Sequence, residues 1–204
     1  YLVVLGTTAE SSVLSQEEKE RVKASVIAAN AKRVPLILGL GSNDTRALCG
    51  AIKAVNANDF DALLSVTPYY NKPTQRGLLA HYKALSQVSE LPIVLYNVPS
   101  RTGVNLLPET TLELAASSDI FIGIKEACGE RHQIGQLIEY APKGFEVVSG
   151  DDLTAVESIL MGASGVISVV GQALPTHTLA AVTAALKKEQ ALALALNASM
   201  TTLF

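Results

Sequence analysis

Tryptophan is absent from this chain of 204 residues, cysteine occurs only twice and histidine only three times. Cys49 and Cys128 lie far apart without C-x-x-C spacing. That excludes a disulfide scaffold and fits two small buried thiols in a reduced compartment, so the expected location is the cytoplasm. His81, His132 and His177 are scattered, the first two within helical stretches, and none has the spacing of metal ligands. No metal site is expected. Charged residues make up 17% of the chain, 16 basic against 19 acidic, with no block of either sign. Such a surface carries no electrostatic footprint for nucleic acid. No apolar run reaches the roughly eighteen residues of a membrane helix, and no signal peptide is visible. Neither nucleic acid nor membrane is therefore an expected partner. What remains is 49% hydrophobic, enough for one large domain with a substantial core.

Short apolar runs recur at regular intervals along the chain. They are Leu2–Leu5, Pro35–Leu38, Ala62–Val66, Pro92–Tyr96, Phe121–Ile124, Phe145–Val148 and Gly165–Val169. They are β-branched or leucine-rich with little polar alternation, as parallel strands buried on both faces should be. Helical patterns separate them. Ser15 with Glu18 spells a capping box, Pro108 suits a first helical position, and Asp152 is the expected cap of a helix ending at Gly162. Leu48, Ile52 and Val55 share one helical face, and Leu78, Tyr82 and Leu85 another. Strand alternating with helix predicts an α/β fold with a parallel sheet. A doubly wound sheet would want G-x-G-x-x-G after its first strand, and Leu5-Gly6-Thr7-Thr8-Ala9 is not that. The favoured fold is a (β/α)₈ TIM barrel with its first β/α unit outside this chain. The chain opens within a strand-like run, so a preceding segment is expected. Residues 1–204 are read as one partial barrel domain, with 190–204 beginning a C-terminal helical region.

In a barrel the reactive groups gather at the C-terminal ends of the strands. The fifth run continues into Lys125, and a lysine seldom sits inside an apolar strand unless it is paired or does chemistry. Desolvation favours the neutral amine, which can attack a ketone to form a Schiff base. The first run ends in Gly6-Thr7-Thr8, whose hydroxyls and backbone N–H groups could hold a carboxylate. Thr67-Pro68-Tyr69-Tyr70-Asn71-Lys72-Pro73 brings two phenols in a stiffened loop. The fourth run places Tyr96 at a strand mouth, able to relay protons, with Arg101 in the next loop to grip a second carboxylate. Gly150 and Ile167 follow at the last two strand ends. An amine, three phenols, two threonines and an arginine on one rim fit a Schiff-base lyase or aldolase acting on a small 2-keto acid.

The segments Gly6–Ser11, Thr67–Pro73, Tyr96–Gly103, Gly123–Ala127 and Ser149–Asp152 resemble, in order, the signatures of the dihydrodipicolinate synthase family. The resemblance implies a (β/α)₈ barrel without cofactor that condenses pyruvate with L-aspartate 4-semialdehyde in the diaminopimelate route to lysine. It implies that Lys125 forms the imine and Tyr96 shuttles its protons. Thr7 would link Tyr96 to Tyr70, which in the family reaches in from a neighbouring subunit of a dimer of dimers. Thr8 would hold the pyruvate carboxylate, Arg101 the carboxylate of the aldehyde, and Gly150 and Ile167 would contribute backbone to the pocket.

Departures are also visible. Ala9 stands where the family usually has glycine. Lysine-inhibited relatives have a feedback pocket at the subunit interface with a histidine and a glutamate; the matching positions here are Lys19 and Ala47, while Ser11, Asn43 and Tyr69 are kept. An added ammonium repels a cationic ligand, so weak or absent inhibition by lysine is expected. Two alternatives stay open on these residues: a sister aldolase acting on N-acetylneuraminate or 2-keto-3-deoxy sugar acids, and a non-catalytic 2-keto acid binding barrel.

Overall fold

The computed structural model describes residues 1–204. Seven strands, β1 (Leu2–Val4), β2 (Leu36–Gly39), β3 (Ala62–Val66), β4 (Ile93–Asn97), β5 (Phe121–Glu126), β6 (Glu146–Ser149) and β7 (Gly165–Val166), form one sheet in sequence order. All neighbouring pairs are parallel. Helices α1 (Gln16–Asn30), α2 (Thr45–Lys53), α3 (Gln75–Ser86), α4 (Pro99–Thr102), α5 (Pro108–Ser117), α6 (Arg131–Tyr140), α7 (Asp152–Met161), α8 (Pro175–Leu186) and α9 (Gln190–Ala198) alternate with the strands or follow them. The sheet curls far enough for the Tyr1 hydroxyl, beside β1, to donate to the Val166 carbonyl in β7 at 3.0 Å.

Side-chain alternation divides the core into two layers. Outward-facing residues such as Leu63, Ile93, Leu95 and Ile124 pack against helix residues Leu78, Tyr82, Leu85, Leu114 and Leu137. Inward-facing Leu64, Val94, Tyr96 and Val98 form a smaller cluster inside the curl. The predicted helix signals hold where they were clearest. Ser15 and Glu18 make a reciprocal capping box at α1, and Pro108 opens α5.

Three expectations need correction. The cap of α7 is Asp151, whose carboxylate accepts from Leu153 and Thr154 N–H at 2.8 and 3.3 Å. Asp152 is the first helical residue, and its carboxylate instead accepts from the N–H groups of Val169 and Val170 at 2.8 and 3.0 Å. Those bonds explain a second difference: the last strand stops at Val166 and the chain turns into a short 3₁₀ segment, Val170–Gln172. Third, Cys49 and Cys128 are free but only half-buried.

The register of β5 decides which way Lys125 points. Ile93 pairs with Phe121, but the next residue, Val94, pairs with Gly123, so β5 carries one extra residue. Strict alternation from Phe121 would set Lys125 on the outer face. The bulge reverses that parity and aligns Lys125 with inward-facing Tyr96. Glycine is required at the bulge, because a Cβ on Gly123 would stand 2.4 Å from the Glu146 carbonyl oxygen of β6.

Candidate active site

The inner layer opens at the C-terminal ends of the strands into a cavity of about 760 Å³. Lys125, Tyr96, Thr7, Thr8, Arg101, Gly150 and Ile167 all line it. Seven of the eight sequence-derived candidates therefore converge on one space, although they come from the loops or ends of five strands.

Lys125 is 8% exposed and its Nζ lies 4.3 Å from the centroid of the Tyr96 ring. That is cation–π distance, and the amine joins none of the three ion pairs in the molecule. Its reach depends on Gly150. A Cβ there would fall 2.8 Å from Lys125 Cε and 2.9 Å from Lys125 Cγ. The family resemblance implied a backbone contribution from Gly150; the structure gives it a further one, making room for the lysine stem. Ile167 is pinned by its N–H to the Ser149 carbonyl at 2.9 Å, which fixes the far wall.

Thr7 and Thr8 lie exposed in a 3₁₀ turn, Thr7–Ala9, entered through Leu5 at φ 58. A non-glycine residue in that region costs of order 1–3 kcal/mol and marks a turn held by its surroundings. Leu5 is buried, which anchors it. The Ala9 N–H is committed to the Gly6 carbonyl at 3.0 Å. Arg101 sits in the last turn of α4, exposed at the cavity mouth and free of any ion pair. It is thus available to a ligand anion.

Tyr70 is the exception. It is 87% exposed, sits at φ 71, and does not line the cavity. An exposed aromatic on strained backbone is not explained by contacts within this chain.

A second cavity of about 550 Å³ adjoins the first and shares Thr7, Tyr96 and Arg101 with it. Ser11, Lys19 and Tyr69 line its outer part. Asn43 is tied to Asn71, its carbonyl accepting from Asn71 Nδ2 at 3.1 Å, beside the Tyr69–Tyr70 pair.

Two neighbours of Lys125 went unassigned in the sequence. Glu126 is buried at 3% exposure on the opposite face of β5. Burial pushes its carboxyl upward, while hydrogen bonds from Gln133, Asn97 and Cys128 pull it back. The signal for it was available, since a glutamate ending a buried strand is as unusual as the lysine before it. Cys128 is pushed up to about 12 by burial and by the adjacent Glu126 charge. It is a thiol, not a competing nucleophile.

The dihydrodipicolinate synthetase family model matches residues 1–204. The chain belongs to that family. It is 53% identical over 175 residues, 86% of its length, to a 4-hydroxy-tetrahydrodipicolinate synthase of Flavobacterium psychrophilum. It is 46% identical over its whole length to an enzyme of the same name from Parabacteroides distasonis. The chain spans 60% and 69% of those two relatives. Among solved structures, a chloride-inhibited dihydrodipicolinate synthase from Acinetobacter baumannii, complexed with pyruvate, superposes with a TM-score of 0.93 at 44% identity. That match covers 98% of this chain and 69% of the other. The family fold identifies the seven-stranded curl as the greater part of a TIM barrel, as the sequence led one to expect.

Proposed function

We propose that the protein condenses pyruvate with L-aspartate 4-semialdehyde through a Schiff base on Lys125. The observation that carries this reading is the buried amine poised 4.3 Å over the Tyr96 ring, in a cavity that also holds two threonines and an unpaired arginine. Four relatives named 4-hydroxy-tetrahydrodipicolinate synthase, 45% to 53% identical, support it.

The neutral amine of Lys125 attacks the pyruvate ketone carbon, and water leaves with the ketone oxygen to give an iminium. Tyr96 donates and accepts the protons of that exchange. The iminium nitrogen takes up the electron pair when a methyl proton departs, giving an enamine. The enamine carbon attacks the aldehyde, whose oxygen becomes a hydroxyl. The amino group of the new chain then adds to the imine carbon and expels Lys125, closing the ring. Thr8 holds the pyruvate carboxylate, Arg101 that of the aldehyde, and Gly150 and Ile167 shape the pocket. The lysine is the electron sink, so no cofactor enters.

Tyr70 completes the proton relay from a second subunit, linked to Tyr96 through Thr7. Its 87% exposure and left-handed backbone support an insertion into a partner, and a homotetramer built as a dimer of dimers is the proposed assembly. The cytoplasm is the proposed location; no helix is long and apolar enough to cross a membrane. Lys19 in the adjoining cavity supports weak or absent inhibition by lysine.

Borohydride reduction in the presence of pyruvate tests the reading. A reduced adduct on Lys125 is expected. An unmodified Lys125 in the folded, full-length protein would favour a binding barrel instead. Arg101→Ala separates the sister aldolases, because it should cripple turnover of the semialdehyde and affect a sugar-acid aldolase less.

A further inference from the structure

Each of the two inward-facing side chains, Tyr96 and Lys125, is followed by an outward-facing polar residue, Asn97 and Glu126. The cross-strand register pairs Tyr96 with Lys125 and Asn97 with Glu126. Glu126 takes part in no ion pair. Every group bonded to its oxygens is a donor: Asn97 Nδ2 at 3.0 and 3.1 Å, Gln133 Nε2 at 3.0 Å and the Cys128 N–H at 2.8 Å. This is the surrounding of a carboxylate, which only accepts.

The network extends to the loops of the active site. Asn97 Oδ1 accepts from the Leu106 N–H at 2.9 Å, and Gln133 Oε1 accepts from Asn105 Nδ2 at 2.8 Å. Asn105 and Leu106 lie just beyond α4, which carries Arg101. Gln75 Nε2 donates to the Asn105 carbonyl at 2.8 Å. Gln75 is the first residue of α3, which follows the loop bearing Tyr70. One chain of hydrogen bonds, buried at Asn97, Glu126 and Gln133 and half-buried at Asn105 and Gln75, therefore joins α3, the segment after α4, β4, β5 and α6.

We propose that Glu126, held by Asn97 and Gln133, is a positioning residue that fixes the end of β5 so that the Lys125 amine stays over Tyr96. It touches no substrate, and the proposal rests on Lys125 being the reacting amine. The need for such a device follows from the inner face. Lys125 has a flexible stem, and its amine faces a ring rather than the partner of a directional bond. Orientation must then come from the backbone beneath it, where four hydrogen bonds converge on the next residue.

The test uses the full-length protein and two readouts on Lys125. Competitive acetylation by acetic anhydride, resolved by peptide mass spectrometry, gives its reactivity relative to surface lysines without any keto acid. Borohydride trapping with pyruvate gives the rate of imine formation. Glu126→Gln keeps the shape but turns an N–H₂ toward the Asn97 and Gln133 donors. Trapping should slow about 10- to 100-fold, the scale of a misplaced reacting group, and the acetylation ratio should shift about threefold or more. Gln133→Met, which removes one donor at similar volume, should move both readouts the same way by less, and Glu126→Asp should restore part of the rate. Unchanged Lys125 reactivity in Glu126→Gln and Gln133→Met, whatever their melting temperatures, would overturn the proposal. If Glu126→Gln does not fold, Gln133→Met alone decides. If the unmutated protein forms no pyruvate adduct, the Schiff-base reading falls, while the acetylation ratio still decides the positioning role.

Discussion

The two faces of β4 and β5 are built on opposite rules. On the outer face Asn97 and Glu126 have their polar atoms bonded to side chains and backbone of several elements. On the inner face the Lys125 amine lies 4.3 Å from the centroid of the Tyr96 ring, beside a small apolar cluster and in a wide cavity. Saturated bonding immobilises groups, and sparse bonding leaves them free to react. The strands thus carry rigidity one residue away from reactivity, and experiments on either face should give different signatures.

The largest effect is expected on the inner face. Lys125→Met should abolish the borohydride-trapped adduct while the melting temperature holds or rises, because a buried polar amine is replaced by a hydrophobe of similar length. Tyr96→Phe should slow turnover about 10²- to 10⁴-fold, the usual contribution of a positioned proton donor, with the adduct still detectable by mass spectrometry. In the apolar part of the outer face, away from the Glu126 network, the change should appear in stability. Leu95→Ala, at a site fully buried in the sheet–helix layer, should cost about 2–5 kcal/mol in urea denaturation.

One sector of the outer layer departs from the rule. His81 is 3% exposed; its Nδ1 lies 2.8 Å from Thr45 Oγ1, but its Nε2 has no partner, nor do Ser65 Oγ on β3 and Thr67 Oγ1 just beyond its end. Burial pushes His81 down from 6.5 to about 4. The unfolded chain therefore binds a proton that the folded one refuses, and stability should fall as pH drops from about 6.5 to about 4, by at most about 3 kcal/mol. Glu126, whose carboxyl is raised, works the other way as pH falls. Denaturation midpoints across that window should flatten in His81→Phe, and an unchanged slope would assign the acid sensitivity elsewhere.

Much of this was legible in the sequence because buried parallel strands and capped helices are written locally. The seven runs fell on the seven strands within a few residues, and the capping box at Ser15 formed as spelled. The convergence of Lys125, Tyr96, Thr7, Thr8 and Arg101 was also within reach, since a barrel places strand ends together. What escaped depends on long-range geometry. The extra residue in β5 is marked locally only by Gly123, and one glycine does not say which way it turns Lys125. The Asp152 bonds to Val169 and Val170 shortened the last strand across a gap that no capping rule covers. The Glu126 network joins residues from Gln75 to Gln133, and its members look like ordinary polar residues one at a time.

Gly150 carries a consequence for how such a protein can change over evolutionary time. A methyl group there would occupy the space of the Lys125 stem and press on Ala127 at 2.8 Å. A descendant could therefore lose its amine chemistry while keeping the lysine, the tyrosine and both threonines. An inventory of reactive side chains would score that descendant as intact. The vulnerable letter in the sequence is one that has no side chain at all.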